Sequence, residues 1–145
     1  MNKKLIGLIA AVLAALIASQ QGNWSPDSGA SLQTQTPSSI EQAYLNHQSD
    51  VQVSGEGVVV KVLPDDNEGS RHQKFILKLD NRRSVLVAHN IDLAPRISNI
   101  GKGDMIEFNG EYEWNEKGGV IHWTHHDPAG RHVAGWLKHN GRTYQ

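Results

Sequence analysis

Val51-Gln52-Val53-Ser54-Gly55-Glu56-Gly57-Val58-Val59-Val60-Lys61-Val62-Leu63 is the stretch on which the fold turns. Valine, branched at Cβ and stiff at χ1, suits a pleated, half-buried strand. Glycine inside a strand marks a bend or a close approach of another backbone, and two of them stand here, at 55 and 57. The stretch therefore predicts a long, strongly bent first strand. Pro64-Asp65-Asp66-Asn67-Glu68-Gly69-Ser70 ends it as an acidic loop.

Downstream the pattern repeats with turn signals between apolar alternations. His72 to Leu79 places Phe75, Leu77 and Leu79 on one face. Asp80-Asn81-Arg82 is a tight connection, and Arg83 to His89 returns with Val85 and Val87 on a common face. Asn90 to Ile100 reads as a short helix or turn. Lys102-Gly103-Asp104 leads into a strand from Met105 to Trp114, Asn115 to Gly119 is a hairpin turn, and Val120 to His126 is the fifth strand. Three strands, a short helical connection and two more strands is the chain order of an OB-fold barrel. A seven-strand sandwich would demand more strands than the sequence offers. In the tail, Asn140-Gly141 between alternating residues is a two-residue hairpin signal. The expected fold is all-β with small helical additions: an OB-fold-like five-stranded barrel with a C-terminal hairpin extension.

Upstream of the barrel the composition changes twice. Met1-Asn2-Lys3-Lys4 is basic, Leu5 to Ala18 is unbroken apolar sequence, and Ser19-Gln20-Gln21 follows, the layout of a secretory signal peptide over residues 1–21. The apolar run is shorter than the roughly 20 residues that span a bilayer, so no stable membrane anchor is expected after cleavage. Leu16 stands where a small residue is preferred, which keeps a retained anchor as the alternative. Residues 22–37, polar and rich in Gly, Ser, Gln and Thr, read as a flexible linker. Residues 38–145 form a single domain that begins with a short helix at 39–48 and ends with a tail at 127–145. The protein is expected to be exported, periplasmic or secreted.

The chain has no cysteine, so its stability rests on an apolar core, helped at most by a metal. Loss of Lys3 and Lys4 with the leader leaves 12 Lys and Arg against 15 Asp and Glu, a formal charge of −3. An acidic chain lacks the clustered cations on which sequence-independent nucleic-acid binding depends.

Gly110-Glu111-Tyr112-Glu113-Trp114-Asn115, Gly118-Gly119-Val120-Ile121-His122-Trp123-Thr124-His125-His126-Asp127-Pro128 and Gly135-Trp136-Leu137 together resemble a family of small exported bacterial proteins classed as a domain of unknown function. The likeness covers roughly residues 50 to 145 and implies no activity. A looser similarity links Val58 to Pro95 with OB-type barrels, thermonuclease-like ones included. Equivalents of a nuclease's calcium carboxylates and catalytic arginines are missing; Asp65, Asp66 and Arg71 are the nearest candidates.

The second of these motifs is also where the chemistry concentrates, with three imidazoles and a carboxylate within six residues. A hairpin turning at Asn81 sets His89 opposite Gln73 and His72 beside Asn90. In an OB barrel the third strand runs parallel to the fifth, so His89 and His125-His126 reach the same rim. Alternation turns Gln73, His89 and His125 inward and His72, Asn90, His122 and His126 outward. His122 and His126 lie roughly 13 Å apart by strand rise and cannot share an ion.

Two functions follow. As a binding module, the chain would use strands two and three and their flanking loops, with Arg71, Lys74, Trp114, Asn115 and Lys117 contacting an oligosaccharide or single-stranded nucleic acid. Export and acidity favour a cell-envelope ligand. As a divalent-metal-dependent hydrolase, a phosphodiesterase or nuclease, it would hold zinc or another divalent metal through His89, His125, Asp127 and His132, with His126 as acid or base. The spacing matches no named zinc signature. The same histidines could instead cap the barrel rim by hydrogen-bonding backbone groups. Composition favours the binding module. The sequence leaves the ligand and the oligomeric state open.

Overall fold

A computed structural model describes residues 39–145. The signal peptide expected at 1–21 and the linker expected at 22–37 lie outside the described residues. The elements are α1 (Ser39–Leu45), β1 (Val51–Val62), β2 (His72–Lys78), β3 (Ser84–Asn90), β4 (Met105–Glu113), β5 (Val120–His122), β6 (Trp136–His139) and β7 (Arg142–Tyr144). No described helix is long and apolar enough to cross a membrane.

The strand order is β1-β2-β3-β5-β4-β6-β7, and β1 also pairs with β4, which closes the first five strands into a ring. The fold is an OB-fold-like five-stranded barrel with a C-terminal hairpin, as the sequence predicts. Strand β1 serves two partners in succession: Val51–Val58 lies antiparallel to β4, and Val58–Val62 lies antiparallel to β2. A register shift between Val59 and Lys61 marks the corner. There the Val59 amide and carbonyl turn to Asp104 and Gly103. The glycines of β1 supply room: a Cβ on Gly55 would stand 2.9 Å from the Phe108 ring, and one on Gly57 would stand 3.0 Å from the Lys78 carbonyl.

The β2–β3 register sets Gln73 opposite His89 and His72 opposite Asn90, as expected. Arg82 takes a left-handed conformation (φ 66°) that lets the hairpin turn tightly. Leu86 and Val87 pair in parallel with Val120 and Ile121. Inside, Val59, Phe75, Leu77, Val87, Ile106, Phe108, Tyr112, Ile121 and Leu137 are fully buried.

Three local expectations change. The helix stops at Leu45 instead of 48, because His47 goes left-handed (φ 51°) and Gln48 N donates back to Ala43 O at 2.8 Å, a Schellman-type ending. The connection from 91 to 100 forms turns and no regular helix. The fifth strand ends at His122 instead of His126, since Trp123 is left-handed (φ 53°) and breaks the ladder. The tail adds β6 to the N-terminal half of β4, Ile106–Asn109, beyond the part that β5 covers, and β7 completes the hairpin through Asn140-Gly141, both at positive φ.

Candidate binding groove

The barrel rim is held by two buried polar side chains from the β2–β3 pair. Gln73 donates Nε2–H to Ile97 O and accepts from Ile97 N, both at 2.9 Å, which clamps the β3–β4 connection over the barrel. Its partner His89 donates Nε2–H to Pro95 O at 3.0 Å, so Nδ1 is the acceptor for the Thr124 hydroxyl at 2.7 Å. Burial lowers the His89 pKa from 6.5 to about 4, more than the Pro95 carbonyl can offset. His89 is therefore a neutral structural tie between β3, the β3–β4 connection and the end of β5.

The turn at Trp123 redistributes the histidine run. Strict alternation would send Trp123 and His125 inward and Thr124 outward. With the backbone reversed at Trp123, Thr124 is fully buried beneath His89, Trp123 is half-buried, His125 is 3% exposed and His126 is exposed. His125 donates Nδ1–H to His126 O at 2.7 Å, and its own carbonyl accepts from Gly135 N at 3.0 Å. Gly135 fits because it has no side chain: a Cβ there would stand 1.9 Å from Trp123 O.

Outside this rim a groove of about 240 Å³ is lined by Ser70, His72, Ala88, Asn90, Leu93, His122, Trp123 and His125. His72 and Asn90 face outward, as alternation predicts, and Trp123 and His125 are brought to them by the break in β5. Strands β2, β3 and β5 thus each contribute polar side chains to one concavity.

Behind the groove lies a second cluster. Across the β4–β5 pair Glu111 stands opposite His122. His122 Nε2 lies 3.5 Å from Glu111 Oε1 and 3.6 Å from Glu113 Oε2, too far for a hydrogen bond, and is buried without a hydrogen-bond partner. The other Glu111 oxygen meets His132 Nε2, while His132 Nδ1 donates to Val133 O at 2.8 Å. Both His132 nitrogens thus face acceptors. Burial opposes the charge on this ring, but the Val133 carbonyl and the Glu111 carboxylate, with Asp127 adding, outweigh it and raise the pKa. The ring stacks on Trp123 at 4.0 Å and 6°, and His125 tilts against the same indole at 5.3 Å. Held between a carboxylate and the indole face, the His132 ring fixes the Trp123 plane, and its protonated form adds a cation–π attraction.

The proposed metal ligands do not present a shared donor set. Both His89 nitrogens are engaged within the protein. Asp127 accepts from Ala129 N, Arg131 N and His132 N at 2.8–2.9 Å, bonds that build the following turn and lower its pKa. His132 is taken by Glu111, and His125 lines the groove alone among the four. Among the described residues no group of three or more His, Cys, Asp or Glu side chains is arranged to hold a metal ion. His126, the candidate acid or base, is not among the groove-lining residues.

The proposed ligand-contacting residues divide between two ends of the barrel. Arg71 and Lys74 flank the groove, but Arg71 Nε bonds Asp92 at 2.7 Å and Lys74 Nζ lies 3.8 Å from Asp66. Trp114, Asn115 and Lys117 sit at the β4–β5 turn. Gly118 in that turn packs on Ser84, which pairs with Lys78 at the far end of β2, roughly 20 Å from Arg71 by strand rise. Trp114 is not an open platform: His47 stacks on it at 4.1 Å and Tyr44 packs beside it, so it docks α1. Asn115 Oδ1 accepts from Lys117 N and Gly119 N at 2.9 Å, a turn-forming role.

Ser70, Ala88, Leu93 and Glu111 were not singled out from sequence. Glu111 was within reach, because a hairpin turning between Asn115 and Gly119 sets it opposite His122 by the same register counting that paired Gln73 with His89.

Closed barrel, rim ties and groove together define a small OB-like β-barrel protein with a polar groove in one wall. The chain belongs to the family described as protein of unknown function (DUF3465), whose model matches residues 28–145. No curated protein matches the chain.

Proposed function

We propose that this chain is an exported binding module of the cell envelope that holds its ligand, of the oligosaccharide or oligonucleotide class, in the groove between β2, β3 and β5. The observation that carries the reading is the concavity itself: three imidazoles, an amide and an indole, from β2, β3, β5 and the turn after β5, converge on a space that no other part of the described chain fills. A concave site with a few convergent polar groups is the ordinary form of a ligand site. The rim ties through Gln73 and His89 make it a preformed one, which limits the ordering cost of binding. The leader-like residues 1–21 support export, and cell fractionation with N-terminal sequencing of the mature protein tests it.

Binding is tested by titrating the full chain with oligosaccharides and with single-stranded DNA while following the Trp123 indole by NMR. Saturable shifts confined to the groove residues are expected; shifts only around Trp114 or Lys117 would sink the site assignment. The divalent-metal hydrolase stands second. It would draw on His89, His125, Asp127 and His132, of which only His125 reaches the groove. Elemental analysis of untagged protein showing near-stoichiometric zinc would bring it forward.

A further inference from the structure

We propose that the groove recognises a neutral, hydroxyl-rich ligand, a single ring of a carbohydrate, and not a polyanion; this rests on the reading of the groove as the ligand site. The argument is a tally of which hydrogen-bonding atoms the protein leaves over. His72 Nδ1 lies 2.8 Å from Ser70 O, and His125 Nδ1 lies 2.7 Å from His126 O. A carbonyl can only accept, so in both rings Nδ1 carries the proton and the neutral ring is left with Nε2 as an acceptor. No protein hydrogen bond engages either Nε2 among the described residues. His125 is otherwise enclosed, at 3% exposure, so its acceptor is held in place by the fold. Asn90 is oriented the opposite way. Its Oδ1 accepts from Asp92 N at 2.9 Å, which leaves Nδ2–H₂ as donors.

The groove thus offers two ring acceptors, an amide donor and the Ser70 hydroxyl, which can do either. A hydroxyl group donates and accepts at once and satisfies both kinds; a phosphate or sulfate only accepts, and would leave two acceptors facing acceptors. Charge points the same way. The nearest fixed cations already face carboxylates, Arg71 bonding Asp92 at 2.7 Å and Lys74 lying 3.8 Å from Asp66, which offsets their pull on an anion. His122 directs Nε2 at Glu111 and Glu113, so the charge behind this wall of the groove is negative and disfavours an anionic chain. Trp123, Ala88 and Leu93 provide the apolar lining that suits the C–H face of a sugar. At about 240 Å³ the groove falls below the roughly 300 Å³ where drug-sized sites begin, which suits one ring.

The test is an array of neutral, uronic-acid and sulfated oligosaccharides with a dT octamer alongside, probed with the full chain at pH 8, and NMR mapping of every probe that binds. The expected result is binding of neutral glycans at the groove residues. Asn90→Asp, which keeps the acceptor for Asp92 N and loses the donor, should weaken it at least tenfold. His72→Phe should weaken it comparably, and Glu116→Ala, at the far end of the barrel, should leave it unchanged. Groove shifts with the anionic probes alone would overturn the neutral-ligand inference and leave the groove as the site. Shifts elsewhere, or no binding across the array, would overturn the inference together with the site.

Discussion

At the scale of single residues, two histidines a few ångströms from the same indole or rim are driven in opposite directions, and their pH signatures differ in sign. His89 is buried and neutral, with a pKa lowered to about 4 from 6.5. Between those values the unfolded chain takes up a proton that the folded chain refuses, so stability falls as pH drops from 6.5 toward 4, by on the order of 3 kcal/mol in full. Urea midpoints measured across that window should show the decline, and His89→Phe should flatten it. At pH 7 the same variant should be less stable by about 1–3 kcal/mol, because Thr124 and the Pro95 carbonyl lose their partner. His132 has a raised pKa, so its contribution is present below the unfolded value and is lost as pH rises through the folded one. In Glu111→Gln, His132 should titrate at lower pH than in the parent, read directly from its ring-proton NMR shifts; an unmoved titration would mean that the carboxylate does not hold the charge.

At the scale of elements, what was legible depended on whether the backbone stayed regular. The β2–β3 register, the parallel pairing of β3 with β5 and the Asn140-Gly141 hairpin all follow from counting residues about a turn, and the structure keeps them. Counting failed at Trp123, where one residue at positive φ ends the ladder and turns Thr124 inward, while His125 stays buried and His126 exposed as alternation has them. Aromatic residues rarely take that conformation, so nothing in Ile121-His122-Trp123-Thr124 announces it. The cause lies in the tail, where Gly135 packs against Trp123 O and donates to His125 O, a tertiary contact that short-range pattern cannot contain. The metal set drawn from sequence did not assemble because His89, Asp127 and His132 are each engaged by other groups of the protein, and Trp114, taken as a stacking surface, is the seat of α1. Gly135→Ala tests this coupling. Its methyl would stand 1.9 Å from Trp123 O and 2.6 Å from Asn109 O, so the segment must shift. The expected loss is more than about 3 kcal/mol, with displaced amide signals from Trp123 to His125. Gly101→Ala, where a methyl meets open space, should be close to neutral in the same denaturation experiment.

At the scale of the whole molecule, the five-stranded ring is only part of what the core needs. Phe108 and Ile106 are covered from outside the ring's own pairings by β6, with Phe108 opposite Leu137 and Ile106 opposite His139. His139 adds a bond at 2.9 Å to Asp104, which also receives Gly101 N, and both bonds hold the Asp104 carboxyl below the usual range. Leu137→Ala should therefore cost about 2–5 kcal/mol in urea denaturation, the range for emptying a packed core position, although the residue lies outside the barrel proper. A loss under about 1 kcal/mol would show that β6 is an accessory. The dual allegiance of β1 has a consequence in time as well as in space. The barrel's seam lies where β1, already joined to β2 nearby, meets β4 about fifty residues further on, with Gly57 opposite Ile106. Until Glu113 has left the ribosome the seam has no second lip, and pairings of such long sequence separation are slow to find even afterwards. The nascent sheet thus stays open along the N-terminal half of β1 until late in synthesis, exposing that unpaired strand edge to whatever chaperone meets it first.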